Sequence, residues 1–248
     1  MGSGASIEEY NNLSDDEKLQ YQLKYEKLIS QGKDEIEVIN ELKQPQLSVK
    51  EIDLISLLEE CEQSVANGKT PLVIDNSDDN KVDTFFGYRS FPVIDGKKMG
   101  LDKSMKKIPV VDIMEEARKK LALSLKIGMP LIIAMTKSVT DFANTFNDIK
   151  ARELHGLPSD LAFLPTELFD KGGKNLLSDE YLNALIRKDE RKDTGDLAIS
   201  RNPDGFYVIL TSQFSPEDYE DYFFGNDWGL PKPKDKYQVL IIKPSPDA

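Results

Sequence analysis

Four short apolar runs constrain this chain more than any other feature: Pro71–Asp75 (PLVID), Pro130–Met135 (PLIIAM), Phe206–Thr211 (FYVILT) and Tyr237–Lys243 (YQVLIIK). Each has the length of a strand, and each is bounded by turn or helix signals. The first three are continuous apolar stretches, as expected of strands covered on both faces. Helical stretches lie between them. Asp112 and Glu115 open one that runs to Gly128, with Ala117, Leu121 and Leu125 inward. Ser138 precedes another, holding Phe142, Phe146 and Ile149. Ser215-Pro216-Glu217-Asp218 supplies an N-cap, a proline for the first helical position and acids for the positive helix end. This alternation predicts an α/β fold, a mostly parallel sheet of about four to five strands with flanking helices. Ile108–Val111 is a weaker strand. The stretch 156–204 is less regular, with turns at Gly172-Gly173 and Asp204-Gly205, and Leu230–Lys236 reads as a stiff linker.

The front of the chain reads differently. Residues 14–67 predict three helices: one opened by a capping box of Ser14 and Glu17 and stopped at Gly32, a short one from Glu35 to Lys43, and one opened by Ser48 and Glu51. The expected organisation is therefore a flexible 1–13, a helical 14–67 and an α/β domain over 68–248. Met1-Gly2-Ser3-Gly4-Ala5-Ser6 matches the N-myristoylation pattern at Gly2, and equally a Gly/Ser-rich leader. No basic cluster or second cysteine follows, so a lipid there gives only weak membrane contact.

Charge and rare residues exclude whole classes of chemistry. Lys+Arg number 32 against 44 Asp+Glu, a net charge of -12. That argues against nucleic acid as the main partner, because phosphate binding needs a basic field. One cysteine, Cys61, excludes an internal disulfide and fits a reducing, cytoplasmic setting. With His155 as the one histidine, a Cys/His metal cluster is impossible. No apolar run approaches a membrane span.

In open α/β sheets ligands sit beyond the carboxyl ends of the strands. Those ends offer Asp75, Thr136, Lys137, Thr211 and Ser212, a polar cluster with one cation, which either holds a phosphate or faces solvent. Sharper motifs fail. Gly68-Lys69-Thr70 ends like a phosphate loop, but Gln63 stands where glycine is needed and the triplet precedes a strand. Asp75–Asn80 resembles a calcium loop, but Asn80 replaces the central glycine and Phe86 the bidentate acid. No G-x-S-x-G accompanies His155, so no hydrolase triad is supported. No metal, cofactor or catalytic residue is assigned. Tyr222, Phe224 and Trp228 lie in an aromatic-rich stretch that either packs on the sheet or anchors a partner.

Three blocks, in order, resemble the fifth AAA-type module of dynein heavy chains over about 71–222. PLVID at 71–75 is similar to its "PLMID", GMPLII at 128–133 with Asp141 to its "GKPVLL…D", and FYVILTSQFSPEDY at 206–219 to its "FRLYLTTKL…PHY". The resemblance implies a P-loop-NTPase-like fold. Ala134, Ser138 and Val139 stand where the family carries acids, and an ATPase needs an acid there to hold Mg²⁺ and orient water. The implied molecule is a degenerate, non-catalytic scaffold that binds proteins of the ciliary, axonemal or microtubule apparatus. Two alternatives stand beside it: a nucleotide-binding protein or phosphotransferase with a divergent phosphate site, and a myristoylated membrane-cycling regulator.

Overall fold

The computed structural model describes residues 15–30, 32, 34, 47–77, 79–106, 108–156, 158–197 and 203–244. The chain divides into two compact units, Met1–Gln46 and Leu47–Ala248. In the first, helix α1 spans Asp15–Ser30. Its Leu19 and Leu23 stay exposed, and the Gly32 N–H donates to the Ile29 carbonyl at the expected stop. The helix expected over Glu35–Lys43, the cap residue Ser14 and the lipidation candidate Gly2 lie outside the described residues.

The second unit is built on one sheet. Its elements, in order, are β1 (Ser48–Ile52), α2 (Leu57–Ala66), β2 (Thr70–Ile74), α3 (Lys81–Gly87), β3 (Val93–Asp95), α4 (Gly96–Ser104), α5 (Val110–Ile127), β4 (Leu131–Ala134), α6 (Asp148–His155), α7 (Asp179–Leu185), β5 (Val208–Ser212), α8 (Tyr219–Phe224) and β6 (Tyr237–Ile242). The strands run in the order β1-β6-β2-β5-β4-β3, and every pair is parallel. The α/β class with a parallel sheet is thus the observed architecture, with six strands.

All four apolar runs are strands, and β2 and β5 are buried along their whole length. Alternate side chains point to opposite faces. Leu72, Ile74, Leu131, Ile133, Val208 and Leu210 join a large core that includes α5, Phe142, Phe146 and α8. Val73, Ile132, Ile209 and Leu240 face a smaller core under α2 and α3, with Leu57, Cys61, Val82 and Phe86. Burial, with Glu62 and Glu60 nearby, pushes the Cys61 thiol well above its ordinary range, so it is an inert packing group.

Both edges of the sheet differ from the sequence reading. Ser48 and Glu51 do not cap a helix. They lie in β1, whose register with Gln238–Ile242 of β6 overrides the local capping signal, and the helix waits until Leu57. Ile108–Val111 is not a strand: Pro109 is the N-cap of α5, and its carbonyl accepts from Asp112 and Ile113. The edge strand on that side is Val93–Asp95. The helix expected after Ser138 begins only at Asp148, because Asp141 first takes the Asn144 and Thr145 N–H groups in a local turn.

Two local features set the core's geometry. Gly128 ends α5 in the left-handed region (φ 66°), where a side chain would be strained. Arg118 of α5, 1% exposed, is held by Glu115 and Glu190 and by the Leu185 carbonyl at 2.8 Å. Burial alone would lower the guanidinium pKa, but the hydrogen bonds with Glu190 and Glu115 outweigh it and keep the charge fixed. The cluster ties the irregular 185–190 stretch to the helix.

Candidate functional site

At the carboxyl edge, the chain gathers four of the five residues expected there. The Asp75 N–H donates to the Ser212 carbonyl at 2.8 Å. Met135 donates to the Thr211 carbonyl at 2.9 Å, and Gln213 to the Thr136 carbonyl at 3.0 Å. The ends of β2, β5 and β4 are therefore laced together. Lys137 follows directly, exposed, and no described residue pairs with its amine.

Most of the polar atoms are already used. Asp75 is buried, and its Oδ1 accepts from Ser77 N at 3.0 Å and Ser77 Oγ at 2.5 Å. Its Oδ2 accepts from Val82 N at 3.0 Å, while Ser77 Oγ accepts from Lys81 N at 3.1 Å. The first two amides of α3 are thus satisfied from within the loop. A phosphate cradle needs such amides free at a helix start after the strand. Here the Asp75 carboxylate fills the anion's place. Ser212 Oγ likewise turns inward, accepting from Phe214 N at 3.1 Å and donating to the Thr136 carbonyl at 3.3 Å. Thr211 is buried in β5.

Thr136 is different. It adopts φ 52°, a strained value for a β-branched residue, and its Oγ1 is buried without a hydrogen-bond partner, as is Thr140 Oγ1 on the same loop. Thr140 Oγ1 lies 2.8 Å from where a Cβ on Gly96 would sit, so glycine is required there.

The electrostatics of this edge are acidic. Asp83 hydrogen-bonds Gln213 at 2.9 Å, joining the loops after β2 and β5. Burial, then the Asp75 and Asp95 charges, raise its pKa, although the Gln213 bond opposes this. Sequence reasoning missed Asp83; the signal was its place one turn into a helix that follows an acidic strand end.

Beyond β5, Tyr222 stacks on Phe214 at 4.3 Å and 11°, and 45% of it is exposed. Trp228 is 43% exposed. Phe224, from the same aromatic stretch, lies in the core against Tyr237 at 5.3 Å, so it is not at the surface as Tyr222 and Trp228 are. One face of the helix explains this: Tyr219, Phe223 and Phe224 are buried on it and Tyr222 is not.

An open groove of about 430 Å³ runs between β3, α4 and α5. Ile94, Met99, Ile113 and Ala117 floor it, and its rim mixes both signs, with Lys98 paired to Asp102 and Lys119 to Glu116. Among the described residues no group of acids, histidine or cysteine is placed to hold a metal ion, and no helix is long and apolar enough to cross a membrane.

Comparison with known proteins finds no matching family model, no matching curated protein and no matching solved structure.

Proposed function

We propose that this chain is a non-catalytic protein-binding or scaffolding protein with a degenerate AAA-like sheet. One observation carries the reading: Asp75 closes the loop after β2 on itself, placing a carboxylate at the N-terminal amides of α3. A phosphate would have to displace that carboxylate and enter a field already set by Asp75 and Asp83. The three blocks that resemble the dynein module fall on β2, β4 and β5, neighbours in the middle of the sheet, and this supports the same reading. Assignment to the ciliary, axonemal or microtubule apparatus follows from that resemblance alone.

A ligand that binds only the native state must raise the melting temperature. Millimolar ATP, ADP, GTP and sugar phosphates, with and without Mg²⁺, are expected to leave it unchanged. A clear rise with any of them overturns the reading. It would favour the second one, a divergent phosphate site at Thr136 and Lys137, whose support is the unpartnered Thr136 hydroxyl and a lysine with no ion-pair partner among the described residues. Tagged protein recovered from its own cells, wild type beside Gly2→Ala, tests the rest. Axonemal or tubulin-associated partners are expected with both; recovery on membranes, lost in Gly2→Ala, supports the lipid-cycling regulator instead.

A further inference from the structure

The stretch from Ser215 to Gly229 carries Glu217, Asp218, Glu220, Asp221 and Asp227, and no lysine, arginine or histidine. Part of this charge is answered internally. Lys234 pairs with Glu220 at 2.7 Å, Lys232 with Asp227 at 3.4 Å, and the Ser215 hydroxyl donates to Asp218 at 2.8 Å. Glu217 and Asp221 are exposed, and among the described residues nothing pairs with their carboxylates. Asp221 lies inside α8, directly before Tyr222, whose ring is held flat on Phe214 and is about half exposed. The turn after α8 folds back, the Leu230 N–H donating to the Phe223 carbonyl at 3.2 Å. Trp228 lies within this fold-back and is half exposed.

A stacked, half-exposed ring at Tyr222 and a half-exposed Trp228, in one stretch with unanswered carboxylates, suit one ligand chemistry. A guanidinium or ammonium gains from the ring face and from the carboxylate together, and the fixed rings lose little entropy on binding. The groove between α4 and α5 makes no such choice, because both signs line it and two of its lysines are paired.

The geometry points to docking of a lysine- or arginine-rich segment of a partner protein on the exposed surface of the 217–228 stretch, the platform that carries Tyr222 and Trp228, with Glu217 and Asp221 as its counter-charges. This rests on the protein-binding reading above and names the chemistry of the partner.

The test is fluorescence anisotropy of a labelled oligo-arginine peptide at low and near-physiological salt, with an oligo-glutamate peptide as control. The wild type binds the arginine peptide and not the glutamate one. Glu217→Gln/Asp221→Asn weakens binding about tenfold, and Tyr222→Ala and Trp228→Ala each about threefold. The charge-matched pair Glu51→Gln/Glu59→Gln, on β1 and α2, changes it by less than about twofold. Absence of arginine-peptide binding, equal losses in both charge-matched pairs, or unchanged affinity in both aromatic variants overturns the proposal. So does a self-association abolished by Tyr222→Ala, which would make the platform a contact between copies. If an aromatic variant fails to fold, the charge pair still decides. A flat nucleotide response without arginine binding removes this docking alone; a nucleotide-stabilised protein removes the reading beneath it.

Discussion

The loops after β2 and β5 leave neighbouring strands at the same edge of the sheet, yet they use their polar groups in opposite ways. After β2, Asp75 Oδ1 accepts from Ser77, while Asp75 Oδ2 and Ser77 Oγ accept from the first amides of α3. After β5, Ser212 turns inward, but from Glu217 onward the chain presents carboxylates and rings outward. The difference teaches that a polar strand end is not by itself a site. What matters is whether the fold has already satisfied the group.

The largest expected effect lies beneath the open loop. Phe223 is fully buried against Phe214 and Phe224, so Phe223→Ala should cost about 3–5 kcal/mol, read as a lower urea midpoint. Next is the closed loop. Asp75→Ala strands the Val82 and Ser77 amides and should cost about 2–3 kcal/mol, while peptide binding at the β5 loop is unchanged. If Asp75→Ala were instead neutral, the carboxylate would not be the loop's internal anion, and the contrast would collapse. Tyr222→Ala comes third. Only the stack on Phe214 is lost, about 1 kcal/mol or less, so its melting temperature should stay close to wild type.

The smallest effect belongs to Asp83, which bridges the two loops. Its folded pKa is raised above the unfolded carboxylate value by burial and by the Asp75 and Asp95 charges. The folded state therefore holds the proton more tightly. Wild type should gain stability relative to Asp83→Asn as pH falls from neutral toward the ordinary carboxylate range. Parallel urea midpoints for the two proteins across that range would show that the bridge carries no strain.

The middle of the sheet was legible in the sequence because β2, β4 and β5 are buried on both faces and read as unbroken apolar runs. The edges were not. β1 is exposed over Val49, Lys50 and Glu51 and carries a helix-capping pattern, and β3 is three residues long. The position of Asp75, Thr136, Thr211 and Ser212 was likewise readable, since strand ends converge by topology. Their state was not, because the direction of a carboxylate depends on where the next helix starts. The role of Phe224 stayed open for a similar reason: in a helix of aromatic residues, only packing tells which rings turn inward.

The pairing of β1 with β6 has a consequence for synthesis. Ser48 meets Gln238 and Thr70 meets Tyr237, so both strands near the front wait for a partner that begins only at Tyr237. On the ribosome, β1 and one side of β2 must therefore stay unpaired until β6 emerges, a long window in which bare strand edges invite aggregation. Chaperone dependence during translation, and rapid clearance of chains stalled before Tyr237, are the expected cellular costs of closing the sheet last.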